Sequence, residues 1–116
     1  MATISGFLAT GFGAFGAHAL KETLSEHQLA VYNTGVQYQF VHTLALLSTG
    51  LILFHRSNHW IKASGIAFIT GIILFSGSLY LLTFTGINQI GIITPFGGSS
   101  FLIGWILLSI GLTKTD

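Results

Sequence analysis

Formal charge is what this chain has least of. Four Lys and Arg and three Asp and Glu are spread over 116 residues, for a net charge of +1 with histidines neutral. A soluble domain carries about a quarter charged residues and could not stay dissolved at this level. The four cations, Lys21, Arg56, Lys62 and Lys114, stand singly at the edges of apolar blocks. That excludes a nucleic-acid footprint, which needs clustered Lys and Arg on one face. The acids Glu22, Glu26 and Asp116 all lie outside the apolar stretches. Cysteine is absent, which excludes a disulfide framework, thiolate chemistry and iron–sulfur ligation. Proline occurs once, at Pro95.

What is there in quantity is hydrocarbon. Apolar residues make up 51% of the chain and mean hydropathy is +0.77. The fifteen glycines suit membrane helices, where glycine lets backbones approach closely. Spanning the hydrocarbon core takes about 20 residues of helix, and blocks of that size fall at about 2–20, 38–54, 61–85 and 95–113. The spacing predicts one all-α domain over 1–116, an up-and-down integral membrane four-helix bundle. Ala17-His18-Ala19 has the small-x-small form of a signal-peptide cleavage site. Residues 1–5 carry no Lys or Arg, so the basic region of a signal peptide is missing and a permanent first helix is expected.

Helix boundaries are written locally. Ser25-Glu26-His27-Gln28 has the form of a capping box, in which the Ser and Gln side chains each satisfy a free backbone N–H. The helix it starts is expected to lie at the interface through Leu29, Tyr32 and Val36, bend near Asn33-Thr34-Gly35, and enter the bilayer near Tyr38. Residues 55–60 read as a polar turn and residues 86–94 as an uncharged loop. Thr94-Pro95 then opens the last helix, Thr as N-cap and Pro at the first position. Four spans put both termini on one side, with Arg56, Lys62 and Lys114, against Lys21 opposite. Basic residues set orientation, so a multi-pass protein of the cell (inner) membrane with cytoplasmic termini is expected.

Small residues at four-residue spacing, Ala9-Gly13-Ala17 and Ala63-Ala67-Gly71, mark two helix-packing stripes. Close van der Waals contact along such stripes substitutes for the hydrophobic drive that lipid does not supply. Four short helices leave little interior, so a second copy of the chain is an expected partner.

The polar residues gather in the leaflet opposite the termini. His18 ends the first helix, and Gln39 and His42 sit three residues apart near the start of the second span. Ser76, Ser78 and Tyr80 fall in the outer part of the third, and Ser99 and Ser100 in the first turn of the fourth. Intramembrane polar groups usually face the bundle interior. They serve either as an interhelical polar core or as a pocket for membrane lipid or another small amphiphile. His18, Gln39, His42, Ser76 and Tyr80 are expected in one hydrogen-bonded neighbourhood. Trp105 lies roughly 15 Å into the last helix, too deep for the interfacial aromatic belt that suits Trp60. It is expected to pack in the bundle or against lipid or ligand.

No catalytic residue, metal site or cofactor is expected. His55 and His59 have ligand-like spacing, but zinc sites need at least three protein ligands. Gly11-Phe12-Gly13-Ala14-Phe15-Gly16 imitates a dinucleotide fingerprint without the preceding strand.

Longer motifs carry a resemblance. Gly13-Ala14-Phe15-Gly16-Ala17-His18 comes first, followed by Tyr38-Gln39 with His42 and Leu44-Ala45-Leu46-Leu47. Phe75-Ser76-Gly77-Ser78-Leu79-Tyr80, Ile93-Thr94-Pro95-Phe96-Gly97-Gly98 and Gly104-Trp105 follow in order. Together they resemble the YgdD/YwdK-type family of small bacterial inner-membrane proteins, known under the label domain of unknown function 423. Ala19 stands where Gly is common and Phe96 replaces a usual aliphatic residue. The resemblance implies a four-span membrane protein with no established catalytic activity. The residues then support, in order, a non-enzymatic oligomeric or lipid-binding module, a small transporter or channel, and a membrane enzyme acting on lipophilic substrates. A proton-coupled transporter would have only His42 or His18 to relay protons. An enzyme would lack a carboxylate beside its histidines.

Overall fold

A computed structural model describes residues 1–114. Asp116, expected outside the spans, falls outside the described residues. The chain is all-helical over the described residues and forms four rods. The first is α1 (Ala2–Phe15), prolonged by a π segment, Gly16–Leu20. The second is one unbroken helix, α2 (Glu26–Leu53). The third is α3 (His59–Gly71), a π segment (Ile72–Ser76) and α4 (Gly77–Thr85), end to end. The fourth is a 3-10 turn, Asn88–Ile92, leading into α5 (Thr94–Thr113). Three rods are long and apolar enough to cross a membrane: Glu26–Leu53, His59–Thr85 and Asn88–Thr113.

Local chemistry sets the rod ends. The capping box forms as read: the Gln28 N–H donates to Ser25 Oγ at 3.1 Å, and the Ser25 N–H to Gln28 Oε1 at 3.0 Å. Asn58 caps α3, its Oδ1 accepting the Ile61 N–H at 3.0 Å. Its Nδ2 donates to the Gly111 carbonyl at 3.1 Å, and the Arg56 guanidinium donates to the Leu112 carbonyl. The 55–60 turn is thereby clamped onto the end of α5. Gly86 stops α4 in the left-handed region, at φ +69°, where only glycine sits without strain.

Three expectations about segments change. α2 runs through Asn33-Thr34-Gly35 as one unbroken helix. Tyr32, Gly35 and Val36 are buried in the bundle, because Tyr32 packs on Gly16 and Tyr80 on Gly35. The 86–94 loop contains the 3-10 turn. Thr94 does not cap α5: Ile93 is already helical, whereas an N-cap needs extended backbone. The first donors are met by the Ile93 carbonyl, which accepts from Phe96 N–H at 3.0 Å and Gly97 N–H at 3.3 Å.

The molecule is 52 × 27 × 16 Å along its principal axes. The first rod packs on α2, α5 packs on α3, and α2 and the third rod lie between them. The tightest contact is the seam of α3 with α5. Ile61, Phe68 and Phe101 are buried there, and a Cβ on Gly71 would strike Phe101. Likewise, Gly97 lies against the Phe75 backbone, Gly104 against Phe68 and Gly111 against Ile61. Gly97, Gly104 and Gly111 repeat every seven residues with Phe101 and Leu108 between them, the spacing of a left-handed helix pair.

The two small-residue stripes are only partly used. Ala9 is fully buried and Gly13 meets Val36, but Ala17 is exposed. A strict four-residue spacing walks roughly 80° around a helix over eight residues, so Gly16 takes the place of Ala17. For the same reason Gly71 is buried while Ala63 and Ala67 are half-buried.

Candidate functional site

The polar side chains do not form the single neighbourhood expected; they form two groups on opposite flanks of α2. Residues three apart differ by about 60° in direction and residues four apart by about 40°. Gln39 and Thr43 therefore turn together toward the first rod, and His42 turns away.

The first group ties three rods. The Gln39 amide is buried, and its Nε2 donates to both the carbonyl and the Oγ of Ser5 at 3.1 Å. Its Oε1 accepts the Tyr80 hydroxyl at 2.6 Å. Ser5 Oγ shares a 2.7 Å hydrogen bond with Thr43 Oγ1. The Tyr80 ring meets Phe12 edge-on, centroids 5.1 Å apart, and leans on Tyr32 at 5.5 Å. Gly35 makes room for it, since a Cβ there would lie 2.9 Å from the ring. The Tyr32 hydroxyl donates to the Phe12 carbonyl, and Ser76 Oγ to the Gly35 carbonyl at 2.7 Å.

The second group centres on His42 between α2, α3 and α5. Its ring stacks on Phe101 with centroids 3.5 Å apart and planes 9° from parallel. Tyr38, Phe68 and Trp105 surround it. Trp105 Nε1–H, which can only donate, reaches His42 Nε2 at 3.1 Å. Nε2 is therefore the acceptor, and Nδ1 carries the proton that goes to the Tyr38 carbonyl at 2.9 Å. Both ring nitrogens of a neutral imidazole are in use. Trp105 itself is 44% exposed, so it covers His42 from outside rather than filling the interior.

The remaining candidates lie apart from these groups. Ser78 Oγ donates to the Phe75 carbonyl at 2.9 Å and so accepts from Thr94, tying α4 to the start of α5. Ser100 Oγ donates to the Ala67 carbonyl at 2.7 Å. Ser99 and His18 are exposed, and His18 joins neither group. Ser5, Thr43 and Tyr38 belong to the groups without having been singled out. Ser5, a hydroxyl inside an apolar run, was the visible signal. Among the described residues, every buried side-chain N or O has a hydrogen-bond partner, and no three His, Asp or Glu side chains converge.

Space is found on the flanks. A recess of about 500 Å³ opens sideways between α4 and the last rod, lined by Ile73, Leu74, Gly77, Ser78, Tyr80 and Ile93 among others. A Cβ on Gly77 would meet nothing within 4 Å. A second recess, about 410 Å³, lies between the start of the first rod and the end of α2, at Met1, Leu46, Gly50 and Phe54.

The family model described as "Protein of unknown function (DUF423)" matches residues 12–98. The UPF0382 inner membrane protein YgdD of Escherichia coli (strain K12) is 41% identical over 65 residues, which cover 56% of this chain and 50% of that protein. A UPF0382 membrane protein of Staphylococcus aureus (strain bovine RF122 / ET3-1) is 44% identical over 73 residues, covering 59% of this chain and 60% of that protein. The chain spans about half the length of the curated relatives it matches. No solved structure matches it significantly.

Proposed function

The chain belongs to the DUF423 family of proteins of unknown function and is a helical membrane protein, and from this we propose that it acts as a non-enzymatic membrane module that holds a lipid. In this reading all four rods cross the bilayer, with both ends of the chain cytoplasmic beside Arg56, Lys62 and Lys114. The polar groups are the frame, and the apolar flank recess is the working surface.

One observation carries the reading. Among the described residues the buried polar side chains are fully engaged with one another and with backbone carbonyls, while the recesses of about 500 and 410 Å³ on the flanks are mainly apolar. A frame of that kind supports assembly, because satisfied interhelical hydrogen bonds hold helices together without presenting a free group to a substrate. A proton relay through His42 finds less support. Its Nε2 already accepts the Trp105 indole, and protonation there would set two donors against each other. Tyr80 and Ser78 line the recess, whereas Trp105 does not.

The test is Gly77→Leu. Nothing lies within 4 Å of its Cβ position, so the new side chain fills the recess while the frame stays intact. The expected result is an unchanged melting temperature in one detergent together with loss of co-purifying lipid, read by native mass spectrometry. Lipid retained at the wild-type level would overturn the reading. Orientation is tested separately. Single cysteines at Ser57 and Asn88 should label from opposite sides of sealed vesicles, with Ser57 on the cytoplasmic face.

A further inference from the structure

We propose that the outward face of α2 is the contact surface for a second copy of this chain, with the Gln37 amides of the two copies paired across a twofold axis. The proposal rests on the reading of α2 as a membrane span. Asn33, Gln37, Val41, Leu44, Ser48 and Leu51 are all exposed along one side of that helix. From Gln37 on, they alternate steps of four and three residues. Gln37, Leu44 and Leu51 repeat every seven, the spacing that already packs α3 on α5 within the chain. A helix face with this period meets its like in a left-handed pair.

Gln37 gives the face its specificity. It lies 16 residues before the end of α2 at Leu53, about 24 Å along the axis and so inside a hydrocarbon core about 30 Å thick. It occurs at the level of the buried Gln39–Tyr80 pair, but on the opposite side of the helix. Its side chain has no hydrogen-bond partner among the described residues, and neither does Asn33, one turn nearer the end. Each buried amide in the chain is bonded within it, as Gln39 and Asn58 are; Gln37 faces lipid with both donors and its acceptor free. A carboxamide is its own complement, so two of them can exchange N–H···O bonds reciprocally. That is the self-matching relation a twofold interface requires. Below Gln37 the face is Val41, Leu44 and Leu51, broken by Ser48, whose hydroxyl is taken up by the Leu44 carbonyl at 2.8 Å. No other polar group on this part of the face competes for the amide.

The chain has no cysteine, so single cysteines report the contact in native membranes. Val41→Cys and Leu44→Cys, both in chains that keep Gln37, should cross-link to dimer under copper–phenanthroline. Leu102→Cys, 67% exposed on α5, should not. Gln37→Leu should weaken the dimer about tenfold, the size expected for one to two kcal/mol of lost interhelical hydrogen bonding. Gln37→Asn should retain the dimer in part. Because Gln37 is exposed and forms no side-chain hydrogen bond within its own chain, the monomers released by Gln37→Leu should melt at the wild-type temperature. Cross-linking at Leu102 equal to that at Leu44, or a Gln37→Leu dimer of undiminished affinity, would overturn the proposal. Single cysteines at Glu22 and Ser57 flank α2: labelling from opposite sides of sealed vesicles shows that the span reading holds and that the dimer proposal alone has failed, while same-side labelling overturns the span reading on which it rests.

Discussion

The two halves of the molecule are held by different means. Where α3 meets α5, glycines oppose large side chains; between the two helices themselves one side-chain hydrogen bond crosses, from Ser100 Oγ to the Ala67 carbonyl at 2.7 Å, while Ser64 bonds its own turn at the Ile61 carbonyl. Where the first rod meets α2 and α4, a chain of hydrogen bonds runs Tyr80–Gln39–Ser5–Thr43. The first contact depends on what is missing, the Cβ atoms of four glycines; the second depends on groups that are present. Lipid explains why both work. Apolar surface gains nothing by leaving one hydrocarbon phase for another, so helices must either fit closely or bond across the gap. A close fit fails steeply when filled. Hydrogen bonds fail gently, because each is worth little alone.

Filling the seam should produce the largest effect. Gly97→Val puts a branched side chain into the Phe75 backbone, which cannot swing aside as a side-chain tip can. A loss of about 3 kcal/mol, or failure to recover folded protein, is expected in thermal denaturation in detergent. Gly77→Val serves as the control, since space is open there; equal damage in both would remove the distinction between seam and surface.

Cutting the polar chain comes next. Tyr80→Phe deletes one hydroxyl and should cost roughly 1 kcal/mol. Gln39→Leu should cost somewhat more, since Tyr80 and Ser5 both lose a partner. A double-mutant cycle on the pair should show coupling, because the two share one hydrogen bond. Additive losses would mean that Gln39 and Tyr80 act independently.

The smallest effect belongs to Trp105→Phe, about 0.6 kcal/mol. It frees His42 Nε2 and leaves the stacking on Phe101 in place. The freed Nε2 should be visible as a shift of the His42 imidazole nitrogen NMR signal; an unchanged signal would mean that the Trp105 indole does not bond it.

Much of this was legible in the sequence where chemistry is local. Ser25 and Gln28 announce a helix start because a capping box needs only four residues, and the apolar blocks announce the rods. The Gln39–Tyr80 contact followed from matching depths along antiparallel helices. What escaped was angular. The four-residue stripes selected Ala17 and Ala67, whereas the real seam steps by three and four through Gly97, Phe101, Gly104, Leu108 and Gly111. Those glycines stood at seven-residue intervals throughout, and the residues between them carried the signal. Gln39 and His42 were assigned one face although α2 has neighbours on both flanks, which the helix alone does not reveal. Thr94 looked like a cap because a Thr-Pro pair usually is one; the helical backbone at Ile93, set by the 3-10 turn before it, removed that role.

The clamp at the terminal end has a consequence in time. Asn58 bonds Gly111 across 53 residues and Arg56 bonds Leu112 across 56. At a synthesis rate of about 5–20 residues per second, the first partner waits roughly 3–10 s for the second to emerge. During that interval the first two rods can already meet, but the face of α3 formed by Ile61, Phe68 and Gly71 has nothing to close on. The nascent chain is therefore three rods that can already be tied through Tyr80 and Ser76, with one face of the third left uncovered. Its last rod arrives as the bolt, and any factor that shelters a half-assembled membrane protein would act here, on that uncovered aromatic and glycine face.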